Sequence, residues 1–407
     1  MTREVLYLGP FNPEEIVRRR KLPARNPAAY NRMIRLAKAL TRGGAEAHIV
    51  STGVSLRIGL FKQILHRQQN LVVDGIRVSV LPALGVPVVG FLAEPLFLLA
   101  WLFARFAFHR SSAMLVYNAT VTSALAVMLA SLFRIPVIYE VEDVPTWAVT
   151  TGARSAEKPR LFQNLSWLIA ARVQRPFCSR VLVPSRRFLD ALNLKEADGR
   201  LAVVVSGCMD VEASAARIES YVSDRRPLKV LFAGKLEAEH GYDLLLGAID
   251  ELRREDELLS RFEFHVCGLP RKEDKQFEQP KFPNVFFHGF VTDSRYKNLL
   301  GDCDIGLALQ KSAGLFQQTR TPSKAYEFLA SGKLLIATNV GDLGDLFPHS
   351  AICLDLETSS QLAELLRHIS RSPVDFVPVA QHGLDLAKKQ FSFQTVGQAL
   401  AAMVNLA

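Results

Sequence analysis

Short apolar runs alternate with longer amphipathic segments along nearly the whole chain, and this plan is laid down twice. In the first half the runs fall at residues 5–8, 47–51, 76–81, 114–117, 137–142, 180–184 and 203–206. In the second half they fall at 228–233, 263–266, 285–287, 305–308 and 334–338. Each is short enough for a strand, and such runs need cover on both faces. The intervening segments supply it. Residues 30–41 put Met33, Leu36, Ala37 and Leu40 on one helical face. Further helices are predicted after Tyr117 to about Phe133, over 241–253 and across 296–300. Strand and helix alternating in this way predict an α/β chain built on parallel sheets.

The 407 residues suffice for two domains, and 49% hydrophobic content suffices for two cores. The polar stretch 211–227 is the expected boundary, giving domains over 1–210 and 211–390. Five scattered cysteines, Cys178, Cys208, Cys267, Cys303 and Cys353, show no metal-ligand spacing, so a reducing compartment is expected and structural zinc is not. Met1-Thr-Arg-Glu leads straight into the first strand, so no signal peptide is expected.

Charge is divided unevenly. Residues 1–210 carry 27 Lys and Arg against 14 Asp and Glu, a net of +13, whereas residues 211–407 are net −4. A basic half predicts an anionic partner, with nucleic acid and membrane surface as the two classes. Arg18, Arg19, Arg20, Lys21 and Arg25 form a basic cluster in a predicted loop, which anionic lipid would attract. The same run also reads as a solvated charged loop. Residues 88–108 are almost wholly apolar, but Glu94, Pro95 and Arg105 argue against a spanning helix. A helix over 92–109 is expected, resting on a membrane or packed in the core.

The segment Thr321-Pro-Ser-Lys-Ala-Tyr-Glu-Phe-Leu-Ala-Ser-Gly332 reads as a helix start aimed at an anion. Thr321 suits the N-cap and Pro322 the first helical position. The amides of Ser323 and Lys324 would then lie free at the positive helix end. Glu327, one turn on, would reach a pair of ribose hydroxyls. Lys324 and Glu327, three apart, equally suit a simple ion pair.

Taken together, Pro322, Lys324, Glu327, Phe328, Leu329, Ala330, Gly332 and Lys333 resemble the donor-site signature of bacterial family 4 retaining glycosyltransferases. The resemblance is strongest from about Val230 to Pro348. It implies the GT-B fold, two Rossmann-like domains facing each other across a cleft. It also implies a last helix, 391–407, that crosses back to the first domain. The implied reaction moves a sugar, with retention and without metal, from a nucleotide-diphosphate sugar to a lipid-linked or polysaccharide acceptor. The sugar donor is a co-substrate, and no cofactor is implied. The implied setting is the cytoplasm, at the inner face of the cell membrane, with an anionic membrane surface rather than nucleic acid as further partner.

The resemblance also assigns residues. Glu327 would hold the ribose, and Pro322, Ser323 and Lys324 the diphosphate. Gly234 and Lys235 follow the first strand of the second domain, where a glycine lets backbone approach a ligand and a lysine supplies a point charge. His240 stands where relatives have Lys. Gly268, Phe290 and Val291 lie in loops that would cradle the base, although ordinary turn chemistry explains such glycines equally well. Thr319 replaces the second Glu of the motif. In the first domain Glu140, Glu142 and Asp143 close a strand. Glu142 and Asp143 are the expected catalytic carboxylates, orienting the acceptor hydroxyl or taking its proton, with helix capping as the other reading of Asp143. A nucleotide-sugar epimerase and a non-catalytic scaffold on the same fold are the alternatives.

Overall fold

The computed structural model describes residues 3–20, 22, 27–53, 65–109, 111–142, 169–191, 202–211, 227–270, 282, 284–312, 318–319 and 321–406. Lys21, Arg25 and Asp143 lie outside the described residues. The chain forms two compact units. The first comprises Met1–Pro184, Leu189–Cys208 and Phe393–Ala407, the second Ser185–Phe188 and Met209–Ser392.

The first unit is built on an eight-stranded sheet. Its strands are β1 (Arg3–Leu8), β2 (Ala45–Ser51), β4 (Gln69–Val73), β5 (Ile76–Val80), β7 (Ala113–Tyr117), β8 (Val137–Glu140), β9 (Arg180–Val183) and β10 (Ala202–Val204). Two short strands, β3 (Leu65–His66) and β6 (Ala83–Leu84), pair separately. The sheet order is β10-β9-β8-β7-β1-β2-β5-β4, parallel except for β4, which is antiparallel to β5. That edge hairpin is a departure from strict β-α alternation. Its cause is the two-residue Asp74-Gly75 turn between alternating apolar positions, which joins antiparallel strands directly.

The helices of this unit divide between the two sheet faces. The chain leaves β1 through α2 (Pro27–Arg42) for β2 on one side, and β7 through α4 (Val121–Leu132) for β8 on the other. Right-handed crossovers in opposite directions place these helices on opposite faces. On the α2 face, Val5, Tyr7, Ile49, Val78 and Leu115 pack with Met33 and Leu36. The last helix (Phe393–Leu406) also belongs here, burying Leu400 and Met403 in the same core. It approaches α2 so closely that a Cβ on Gly397 would lie 2.0 Å from the Ala39 carbonyl oxygen. Any side chain there would push the helices apart.

The opposite face carries α4 and α3 (Pro87–Phe108), the latter longer than the expected 92–109 at its start and holding Pro95 within it. A capping box between Thr120 and Ser123 starts α4. No helix of the described residues is long and apolar enough to cross a membrane. The expected basic cluster is only partly outward. A short helix, α1 (Glu14–Arg19), lies in the predicted loop, and Arg18 pairs with Glu14 on its surface. Arg20 is buried, donating to the carbonyls of Gly53, Arg67 and Leu81 at 3.2, 3.1 and 2.9 Å. It ties loops together instead of facing a partner.

The second unit has a six-stranded, wholly parallel sheet. Its strands are β11 (Leu228–Ala233), β12 (Phe262–Cys267), β13 (Val285–Gly289), β14 (Ile305–Ala308), β15 (Leu334–Thr338) and β16 (Ile352–Leu354). The order β13-β12-β11-β14-β15-β16 is that of a doubly wound Rossmann sheet. Leu245 and Ile249 of α5 (Tyr242–Arg253) join Val230, Phe264 and Ile336 in the core of one face. On the other, Phe328 and Leu329 pack against Leu231, Leu335 and Phe391.

One buried carboxylate fastens α3 to the first sheet. Glu4, at the start of β1, accepts from Arg105 Nε at 3.1 Å, Arg77 at 3.2 Å and Ser111 at 3.1 Å. Burial alone would raise its carboxyl, but His48, Arg105 and Ser111 bring it down to about 2. A depressed carboxylate stabilises the fold above its unfolded pKa and loses that contribution as pH falls. Glu4→Gln should therefore lower the urea midpoint at neutral pH. The gap between variant and parent should close between pH 4.5 and about 2, the usual value and the folded one. Parallel urea titrations across that range check it, and a constant gap would refute it.

Candidate functional site

In a doubly wound sheet the crevice opens beyond the carboxyl ends of the strands, where the order reverses. In the second unit this lies between β11 and β14. Three strand ends on one side of the reversal are stacked flush. The Gly234 amide donates to the Cys267 carbonyl at 3.0 Å, and the Gly268 amide to the Gly289 carbonyl at 2.9 Å. Gly268 has φ +150°, and a Cβ on it would sit 1.8 Å from the Gly234 oxygen. Only glycine fits, and the loops are left as bare backbone. Lys235 follows, exposed, and its ammonium has no partner among the described residues. Phe290 is exposed, whereas Val291 is partly buried against the apolar cluster around Tyr326 and so serves packing as well. His240 lies 4.0 Å from the Glu237 carboxylate, next to Gly241, which caps α5.

Across the reversal, the chain leaves β14 for α7, with α6 (Asp293–Asp302) and α7 (Ser323–Ala330) numbered in chain order. The loop after β14 is joined to the loop after β11 by the Lys311 amide, which donates to the Glu239 carbonyl at 3.0 Å. The N-cap of α7 is Pro322, with φ −57° and ψ 125°, not Thr321. Pro322 itself keeps an extended ψ, so the helix proper begins one residue later. The first turn closes from the Ala325 amide to the Pro322 carbonyl at 3.0 Å. The amides of Ser323 and Lys324 have no acceptor among the described residues. Thr321 Oγ1, shut off from solvent beside them, has no hydrogen-bond partner either. Unsatisfied donors at a helix start favour an anion.

Glu327 is buried, so its pairing with Lys324 is no ordinary surface bridge. Its Oε2 accepts from Lys324 Nζ at 2.8 Å and from the Tyr296 hydroxyl at 2.7 Å. The ammonium lies 4.0 Å from the centre of the Tyr296 ring. Tyr296 comes from α6, just past the loop of Phe290 and Val291, and links that loop to α7. Burial pushes the Cys267 thiol up to about 11, while Lys324 and Arg295 pull against that rise. These cations therefore act at the end of β12. Tyr296 was absent from the expected site, because a lone tyrosine in a helix carries no spacing signal. Thr319, at the altered motif position, is buried.

The first unit gathers a second ionic group. Glu140 is fully buried on β8, held by the Tyr7 hydroxyl and by Arg32 Nε at 2.8 Å. The Arg32 guanidinium also lies 3.5 Å from Glu142 and donates to the Val205 carbonyl at 3.0 Å. Burial works to raise the Glu140 carboxyl, and Arg32 works against it. Glu142 is partly exposed just past β8, its amide held by the Asn118 side chain at 2.8 Å. Glu140 is thus a structural anchor, and Glu142 the outward member of the pair. Among the described residues no three His, Cys, Asp or Glu side chains gather as a metal site.

Two family models match the chain. Residues 30–207 match the glycosyl transferase 4-like domain, and residues 227–371 match glycosyl transferases group 1. No curated protein matches it. Among solved structures, HepE of Anabaena in complex with UDP-glucose is 16% identical, with a TM-score of 0.65 over 99% of this chain and 100% of that one. Sucrose-phosphate synthase of Thermosynechococcus elongatus is 11% identical, with a TM-score of 0.62 over 99% and 98%. A glycosyltransferase of Rickettsia africae is 14% identical, with a TM-score of 0.61 over 100% and 98%. These likenesses establish the fold as GT-B.

Tyr296→Phe removes one donor to a buried carboxylate. It should lower stability by about 1.5 kcal/mol, the low end for a hydrogen bond to a charged group because Lys324 remains. Urea unfolding of the variant and its parent reads the difference. No change would mean that Glu327 does not depend on the hydroxyl.

Proposed function

The chain belongs to the group 1 glycosyltransferases, and from that premise we propose that it moves a sugar with retention from a nucleotide-diphosphate sugar to a lipid-linked or polysaccharide acceptor. The observation that carries the reading is the unsatisfied set at the reversal of the second sheet. Lys235 Nζ and the Ser323 and Lys324 amides have no protein partner among the described residues, and Thr321 Oγ1 is shut in beside them without one. Such a set suits a pyrophosphate. HepE, whose fold this chain shares, was solved with UDP-glucose.

In this reading each residue has a part. Lys235 and the helix amides neutralise the charge that grows on the leaving diphosphate, the part a metal ion plays elsewhere. His240 assists them. Glu327, already oriented by Tyr296 and Lys324, accepts from the ribose hydroxyls. The backbone around Gly268 and Phe290 holds the base, and Val291 supports that loop from below. Glu142, with Asp143, orients the acceptor hydroxyl and takes its proton. The first unit receives the acceptor, and the protein works in the cytoplasm against the inner membrane face, where its basic charge meets anionic lipid.

Purified protein incubated with UDP-, GDP- and ADP-sugars should release the matching nucleoside diphosphate. Lys235→Ala and Glu327→Ala should each slow release about tenfold to a hundredfold, since each removes a charge-assisted contact of about 1.5–3 kcal/mol. Unchanged release in both variants would remove this pocket from the mechanism. Conversion of the donor with its nucleotide still attached would make the protein an isomerase.

A further inference from the structure

The first unit presents an apolar face that its own core does not use. On α3 the exposed apolar residues are Val89, Leu92, Leu96 and Phe103. Their intervals of three, four and seven residues keep them on one side of the helix. On α4 they are Val121, Leu125, Met128 and Leu132, at intervals of four, three and four. Leu96 is 69% exposed and Leu132 81%. The inward positions are filled separately, by Leu98 and Leu102 on α3 and by Val127 and Ala130 on α4.

The two stripes lie side by side. Near the start of both helices Glu94 bonds Thr122, and at their far ends Phe103 and Phe106 meet the Phe133 ring at 5.5 and 5.7 Å. The helices therefore run together in the same direction. They carry two charged residues between them, Glu94 and Arg105. Glu94 is turned to Thr52 and Thr122, and Arg105 to Glu4. Among the described residues, exposed charge lies beyond the helix ends. Arg134 follows α4, and Arg172 and Arg175 flank the exposed Val173 and Phe177, in a segment joined to α4 by the Ser123–Gln174 hydrogen bond at 3.0 Å. All three arginines are exposed.

We propose that this α3–α4 face is a docking surface for an anionic lipid bilayer, into which the two stripes dip while the flanking arginines hold the headgroups. The proposal rests on the membrane-facing part of the function proposed above and gives it a place. Large apolar faces left open to water mark interaction sites. Helices lying in the interfacial plane combine an apolar face with basic flanks in this way. A second copy of the chain is the poorer occupant. A twofold contact through this face would bring one copy's arginines towards those of the other, with no carboxylate on either helix turned out to meet them.

The test is flotation with vesicles of phosphatidylglycerol and phosphatidylcholine, comparing the parent with the double variant Leu96→Glu, Leu132→Glu. Both sites are exposed, so the substitutions leave the core alone. The parent should float with the anionic vesicles, less at high salt, and the variant at least tenfold less, with an unchanged melting temperature. Equal flotation of the two would overturn the surface, as would a parent that does not float. Loss of a concentration-dependent dimer in the variant, read by light scattering without lipid, would assign the face to a second copy and overturn it too. Thermal shifts with uridine, guanosine and adenosine diphosphates, run without vesicles, read the donor pocket independently. Nucleotide binding without flotation sinks the surface alone, and flotation without nucleotide binding sinks the transferase reading alone.

Discussion

The close stacking of strand ends in the second sheet governs what its crevice can hold. Because a Cβ on Gly268 would overlap the Gly234 carbonyl, the loops after β11 and β12 meet as backbone on backbone. Amides and carbonyls there are spent on each other, from Gly234 to Cys267 and from Gly268 to Gly289. What remains for a ligand is what projects past this floor. Those groups are the Lys235 ammonium on one side of the sheet reversal and the start of α7 on the other. A cation and unsatisfied amides beside a floor of backbone favour a strongly anionic group.

Buried carboxylates recur as fasteners in both units. Glu4 joins α3 to the first sheet, Glu140 joins α2 to β8, and Glu327 joins α6 to α7. Each is held by at least two donors, as a buried charge requires. The arrangements differ in where the partners come from. Around Glu4 and Glu140 the partners include arginines reaching in from other elements, with the Ser111 hydroxyl also on Glu4 and the Tyr7 hydroxyl on Glu140. Around Glu327 they include a phenol from α6 and a lysine three residues away on the same helix.

Sequence periodicity located the strands well because parallel strands buried on both faces leave an unbroken apolar run. Residues 228–233, 305–308 and 334–338 coincide with β11, β14 and β15. It found β5 but missed β4 and the antiparallel pairing between them, although Asp74-Gly75 carried the signal, because the α/β pattern around it dominated. The start of α7 shifted by one residue, since Thr321 and Pro322 compete for the same capping role and sequence alone does not rank them. The Lys324–Glu327 spacing was legible, but the burial that gives the pair its weight was not. The hydroxyl that meets Glu327 comes from α6, and no local pattern ties Tyr296 to it across 31 residues.

The charge of the first half needs the same separation of pattern from placement. A net +13 over residues 1–210 describes a field, not a surface. Arg20 is consumed by three carbonyls, Arg32 by Glu140 and Glu142, and Arg105 by Glu4. Two of these are neutralised by carboxylates and add nothing outward. Among the described residues, exposed cations beside the apolar face of α3 and α4 include Arg134, Arg172 and Arg175. Steering by such a field weakens with salt over a Debye length of about 8 Å at physiological ionic strength, whereas the apolar stripes of α3 and α4 act only on contact. Attraction and adhesion are therefore supplied by different residues of one surface, so raising salt and adding charge to the stripes should act on approach and residence separately.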